Sequence, residues 1–311
     1  MKAATRVLAL LMAVAASPAS VGASDDSATA AEQRRSNWVT EGLLDPAAPA
    51  AHRAEIANKL ETLANEGNDP HALYVAGSLY RLGRENSPTS PFPRNADKAR
   101  EYLTRAALQG QLRAMGKLAL FEHDEGNRFE ANVWAQLLAS YSAEFARDRG
   151  QDNESKPSVA ATSVLALVQE GFPENEVPRL EERVGRMIRS HDKAIRAGAE
   201  SIREARLRSP LRNARTRICR HLEGQLQTSR VRRTAYFAGG AEFYVSFADD
   251  GSAARVWLLD VWPDMRMERG LRACASRYRV EATEAIAGKG LVALVPISLG
   301  DPRVKLRNAE D

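Results

Sequence analysis

Small and aromatic residues recur along the chain at fixed helical spacing. Ala72, Ala76-Gly77, Tyr80 and Gly83 fall three and four apart, and Ala99, Tyr102, Ala106-Ala107 and Gly110 follow in a second run. Both runs return, more loosely, as Ala114 with Leu118-Ala119, and as Ala131, Trp134 and Leu138-Ala139. Small side chains at i, i+3 and i+4 put a flat strip on a helix, so two helices approach closely while each aromatic fills the gap toward the next pair. A hairpin built this way cannot bury its face alone and stacks on further copies. The pattern therefore predicts a helical-hairpin repeat over residues 51–146, packed through Ala72, Gly77, Tyr80, Gly83, Ala99, Tyr102, Ala106, Ala107, Gly110, Ala114, Ala131, Trp134 and Ala139.

Flanking residues extend the prediction. Ile56, Leu60 and Leu63 mark an earlier helix, and Asp69-Pro70 caps the next one, proline being suited to a first helical turn. The two full units differ in the span from Ala72 to Ala99 and from Ala114 to Ala131, the first being longer through residues 84–94. That segment holds Pro88, Pro91 and Pro93, which cannot continue a helix, so an exposed loop is expected there. Residues 158–209 read as a capping helix and then a long amphipathic one, with Leu180, Val184, Met187, His191, Ile195, Gly198 and Ile202 on its apolar stripe. After a basic linker over 210–235 the period changes from helix to strand. Phe243, Val245 and Phe247 alternate with Tyr244 and Ser246, Asp250-Gly251 marks a hairpin turn, and residues 254–261 return. Met267, Leu271, Cys274 and Tyr278 then share a helix face, and residues 290–299 form a third strand. The expected fold is mainly α, a tetratricopeptide-like solenoid followed by a small α+β domain over 236–302 with a three-stranded antiparallel sheet, and a tail at 303–311.

Residues 69–141 resemble the Sel-one-like repeat, a relative of the tetratricopeptide repeat. Ala72, Ala76-Gly77, Tyr80 and Gly83 match its first helix; Asn95 and Asn127 replace its acidic residue, and Glu122 replaces the second tyrosine. Residues 243–299 resemble the C-terminal domain of TonB energy transducers through the Asp-Gly hairpin, the following apolar strand, the Leu271-x-x-Cys274-x-x-x-Tyr278 helix and the last strand. Trp262-Pro263-Asp264 stands where that family has a Ser-Ser-Gly turn, and Pro296 interrupts the last strand, which demotes it to an edge. The first resemblance implies a protein-binding scaffold, and the second a fold more than an activity.

The amino terminus changes the setting. Lys2 and Arg6, an apolar run over 7–16 and Val21-Gly22-Ala23 have the layout of a secretory signal peptide cleaved after Ala23. Residues 24–50 read as a disordered stretch or linker. The expected location is periplasmic or secreted, with nothing spanning a membrane after cleavage. In that compartment Cys219 and Cys274 read as one disulfide closing a loop of about 55 residues, a plain buried thiol at Cys274 being the alternative. The formal charge of +4 hides an asymmetry. Residues 179–233 hold sixteen Lys/Arg against six Asp/Glu, a net of +10, so the remainder sums to −6. Export argues against nucleic acid as the counterpart and favours an anionic envelope surface; an ordinary solvated helix face fits the run as well.

Candidate chemistry is sparse. His52, His71, His123, His191 and His221 have no second histidine three or four residues on, and no nucleophile elbow or phosphate-binding loop is present. No catalytic, cofactor or metal residues are assigned. The reading is an exported, non-enzymatic scaffold that binds a partner protein in the cell envelope, with Tyr74, Tyr80, Arg81 and Arg84 as the candidate groove. A TonB-related accessory protein in energy-coupled transport is the first alternative. A cell-wall enzyme is the second, and it requires a deep cleft holding two carboxylates, or a carboxylate and a histidine, within about 10 Å.

Overall fold

The computed structural model describes residues 38–39, 41–87, 89–147, 159–208, 215–216, 238–262, 265–281 and 292–300. The signal peptide, Cys219, most of the basic linker and the tail lie outside them. Among the described residues the protein is mainly helical with a three-stranded antiparallel sheet. The helices are α1 (Ala50–Glu66), α2 (Pro70–Asn86), α3 (Ala96–Leu108), α4 (Leu112–Asp124), α5 (Arg128–Arg147), α6 (Val159–Gln169), α7 (Val177–Arg208) and α8 (Glu268–Ala275). The strands are β1 (Arg215–Thr216), β2 (Ala238–Phe247), β3 (Ala253–Trp262), β4 (Tyr278–Arg279) and β5 (Val292–Gly300).

Local chemistry sets the helix starts. Asp69 accepts from the His71 and Ala72 amides, at 2.8 and 3.2 Å, ahead of the proline that opens α2. Asn95 does the same for α3 through the Lys98 amide at 3.0 Å. From α1 to α6 each helix packs on the next, and α7 lies across α3 and α5. The small residues do what their spacing requires: Ala72, Ala76, Ala99, Ala106, Ala107, Ala114, Ala119 and Ala131 are fully buried. Two glycines let α7 come close to the turn between α3 and α4. A Cβ on Gly198 of α7 would stand 1.9 Å from the Gln109 carbonyl oxygen, and one on Gly110 would stand 2.2 Å from the Ala199 nitrogen.

The segment expected as an exposed loop is exposed at residues 84–86, 93 and 94 but anchored through buried Ser87, Ser90 and Phe92. Gly83, at φ +69°, breaks the helical path of α2 and frees carbonyls one turn back. The loop satisfies them: Asn95 N–H donates to Tyr80 O at 2.9 Å and Ser90 Oγ to Leu79 O at 3.2 Å. Phe92 is buried and stacks on Tyr80 with ring centroids 4.3 Å apart. The prolines end the helix, but the aromatic between them ties the loop to the hairpin.

In the sheet β2 is central, with order β3-β2-β5 and both pairings antiparallel. β1 pairs with β4 as a separate two-stranded ladder. One sheet face carries Phe243, Val245, Leu258, Val295 and Ile297 against Leu271 and Cys274 of α8. The other carries Tyr244, Trp257, Leu259, Trp262, Val292 and Leu294, which join the core of the helices. The sheet is thus a middle layer between α8 and the helical array.

Candidate functional site

The most unusual chemistry lies where the sheet meets the helices. Helical spacing puts Tyr74, Ser78 and Arg81 on one face of α2, with Arg113 and Lys117 on the adjoining face of α4. Opposite them β2 presents Glu242 and β3 presents Asp260, which stand directly across the ladder from one another. Like charges in that register repel. They are held by cations from the helices. Arg81 forks onto Asp260, with Nε 3.1 Å from Oδ2 and Nη2 on Oδ1, and Nη2 also reaches the Val261 carbonyl at 2.7 Å. Lys117 Nζ sits between the two acids, 2.7 Å from Glu242 Oε2 and 2.8 Å from Asp260 Oδ2, and donates to Ser78 Oγ at 2.7 Å. Tyr74 donates its hydroxyl to Glu242. The Arg81, Lys117, Glu242 and Asp260 side chains are only 10, 11, 13 and 4% exposed.

A β-bulge makes this possible. Glu242 pairs with Asp260 but Phe243 pairs with Leu258, so Leu259 has no residue opposite. Strand residues alternate faces, and one extra residue flips the alternation. Leu259 and Asp260 therefore both face the helices. Without the bulge Asp260 would enter the apolar layer under α8.

The electrostatics follow from burial and pairing. Burial pushes the Glu242 carboxyl up, but Lys117 and Arg113 overcome it and hold the group below its ordinary value. Asp260 is likewise raised by burial and brought below the usual range by Arg81 and Lys117. Burial, and then the Glu242 charge, push the Tyr74 hydroxyl well above its normal value. The two carboxylates are ionised and paired, the Tyr74 hydroxyl keeps its proton, and all three are shut away from solvent, an arrangement suited to locking two layers together. Around the seam, Trp262 Nε1 donates to Asp124 Oδ2 at 2.5 Å, and Tyr244 Oη lies 2.9 Å from His71 Nε2.

No family model matches the sequence, no curated protein matches it, and no solved structure matches the fold.

The four residues read as a groove lie on two surfaces. Tyr74 and Arg81 point into the seam, where the sheet covers them. Tyr80 faces the other way, donating to Glu61 Oε1 at 2.6 Å beneath Lys98 Nζ, which is 3.1 Å from the hydroxyl. Burial, and then Glu61, push the Tyr80 hydroxyl up to about 12. Arg84 donates to the Pro91 carbonyl. The packing residues Tyr102, Trp134 and Ala139 are buried. Glu122, standing where the repeat pattern has tyrosine, is also buried. It accepts from Arg100 Nε at 2.5 Å and from Asn127 Nδ2 at 2.7 Å. Cys274 is buried on the inner face of α8.

Sequence reasoning missed Glu242, Asp260 and Lys117. The signal was an acid inside an apolar strand run, Val256 to Trp262, where nothing local balances it. Two carboxylates do lie close together here, but in a closed ion-paired seam rather than a cleft. Among the described residues no group of three or more His, Cys, Asp or Glu forms a metal-ligand cluster, and no helix is long and apolar enough to cross a membrane.

Proposed function

We propose that the chain is an exported scaffold of the cell envelope that binds a partner protein and performs no catalysis itself. In this reading α2 to α5 are two Sel-one-like hairpins of a short solenoid, and the sheet with α8 is a TonB-C-like domain docked on one of its faces. The observation that carries it is the seam. Four buried acids and bases neutralise one another there, and the helix face that holds Tyr74 and Arg81 is filled by the chain's own sheet. Partner contact then falls to the remaining surfaces of the array and to the basic residues within 179–233, which suit an anionic envelope surface. A Cys219–Cys274 bridge belongs to the same reading, since export provides an oxidising compartment.

Energy coupling by strand addition is the weaker reading. Pro296 lies within β5, an edge strand paired only with β2 among the described residues. A ladder tolerates proline where its nitrogen faces outward, so the outer edge lacks a donor at mid-strand. A photo-cross-linking residue placed at exposed Glu101 or Lys59 in the full chain tests the scaffold reading. A discrete adduct with one envelope protein is expected, lost when residues 2–23 are deleted. No adduct at either position, or an adduct unaffected by that deletion, overturns it.

A further inference from the structure

The long helix α7 keeps its unneutralised charge on one side. It lies on α3 and α5, and Leu180, Met187, Ile195 and Ala199 form its buried stripe. At about 3.6 residues per turn the opposite side holds Arg179, Arg186, Arg189 and Lys193, and all four are exposed. Acids within one turn hold the first two: Arg179 is 3.1 Å from Glu176, and Arg186 is paired with Glu182. Arg189 and Lys193 make no ion pair or hydrogen bond among the described residues. Asp192, the one acid between Arg186 and Arg196, is turned toward α5, where it takes the Tyr141 hydroxyl at 3.0 Å. Arg196 follows it there onto Glu144. Like charges three and four apart on a helix repel, and in mid-helix they gain nothing from the dipole.

We propose that this face of α7, through Arg186, Arg189 and Lys193, docks the protein on an anionic phospholipid bilayer. A bilayer is favoured over a protein partner because the row has no apolar centre. A specific protein interface is built around a buried aromatic or aliphatic anchor. Among the described residues the exposed large apolar side chains are Leu63, on α1, and Leu207, about 21 Å beyond Lys193 along the helix. A layer of anionic headgroups requires only cations held within a Debye length of it. The buried stripe fixes the rotation of α7, so the row cannot turn inward, and its run of about 21 Å from Arg179 to Lys193 along one straight element suits a flat surface. The proposal narrows the anionic surface of the scaffold reading to one helix face and one material. It rests on that reading for bringing the face to an envelope membrane.

The test is co-sedimentation of the mature chain (residues 24–311) with vesicles of phosphatidylcholine alone and with vesicles carrying phosphatidylglycerol, with soluble polyphosphate as a separate ligand. Saturable binding to the anionic vesicles and none to the neutral ones is expected, with release in about 0.5 M salt. Each cation near such a surface strengthens binding about fivefold, so Arg189→Glu/Lys193→Glu should weaken it at least ~20-fold. Neither residue makes a contact that folding requires, and melting followed by circular dichroism should match the native chain. Lys59→Glu/Arg255→Glu makes the same change in net charge at exposed residues of α1 and β3, and should stay within about threefold of native. Equal binding to neutral vesicles, no binding to either, undiminished binding in the α7 variant, an equal loss in the α1 and β3 variant, or binding to polyphosphate alone overturns the proposal. Vesicle binding needs neither export nor a protein partner, so its failure is distinct from a missing adduct in the cross-linking test.

Discussion

Removing Lys117 is the sharpest test of the seam. Its ammonium contacts Glu242, Asp260 and Ser78 within 2.8 Å, and the nearest other cation to Glu242 is Arg113, at 3.9 Å. In Lys117→Met, Asp260 keeps its Arg81 fork while Glu242 becomes a buried charge left with the Tyr74 hydroxyl and the more distant Arg113. Breaking one side of a buried pair costs about 3–5 kcal/mol. The double variant Lys117→Met/Glu242→Leu removes that stranded charge and leaves only the Tyr74 hydroxyl without an acceptor, a loss of about 1–3 kcal/mol. The double variant should therefore be the more stable of the two. pH gives an independent reading. In the native chain both carboxyls titrate below their unfolded values, so their stabilisation is present above an unfolded value of about 4 and is lost as pH falls through the folded ones. In Lys117→Met the burial of Glu242 is no longer opposed by that ammonium, so its carboxyl rises above the unfolded value. Stability should then increase as pH falls from 7 to 5, a rise that the two lowered carboxyls of the native chain do not produce. Urea unfolding followed by tryptophan fluorescence at both pH values measures this, since Trp257 and Trp262 lie on the helix-facing side of the sheet. A loss below about 1 kcal/mol at pH 7, or parallel pH profiles, would refute the account.

Three further outcomes follow from other contacts. Deleting Leu259 removes the bulge yet leaves Asp260 opposite Glu242 and facing the helices, so the ion network should survive. The Trp262 indole resonance should keep its position, and urea unfolding should show only the loss of one buried leucine side chain, about 2–5 kcal/mol; a displaced resonance would show that the bulge itself sets the register. Gly198→Ala should cost at least ~2 kcal/mol by thermal melting although alanine is the better helix former, because its Cβ would meet the Gln109 carbonyl. Gly126→Ala, at φ +82° with nothing within 4 Å, should cost only about 1–2 kcal/mol, and equal losses would show that close packing is not the cause. Arg100→Leu strands the buried Glu122 carboxylate and should destabilise by about 3 kcal/mol in urea unfolding; Arg100→Leu/Glu122→Gln should recover most of that, and no recovery would count against a charge effect.

What the sequence disclosed was local. The alanine and aromatic spacing over 72–139 marks helices because a 3.6-residue period is written within one element, and the alternation at 243–247 with Asp250-Gly251 marks a hairpin for the same reason. What it concealed was mostly long-range. Arg81 and Asp260 lie 179 residues apart, and on its own helix Arg81 is indistinguishable from a solvated arginine. The bulge left no trace either. Val256 to Trp262 is apolar at every position except 260, so the faces cannot be told apart by alternation, and an extra residue is invisible. Nor does the loop after Gly83 show its anchor: its prolines mark an exposed turn, while the burial of Phe92 depends on Tyr80 across the hairpin.

The division of labour at the seam explains why an apolar interface would carry such a polar centre. Tyr244, Trp257, Leu259, Trp262, Val292 and Leu294 bury enough carbon to dock the sheet on the helices, but apolar contact is non-directional and tolerates sliding. The charges do not. Moving β3 by one residue separates Asp260 from Arg81 and leaves both buried and unpaired, a penalty larger than any single apolar contact could offset. The bulge permits one register in which both acids face both cations. Burial thus supplies the attraction and the ion network selects the position. For that reason the two acids sit on neighbouring strands of the sheet and their cations on two different helices, so that the layers are fixed relative to each other in both directions.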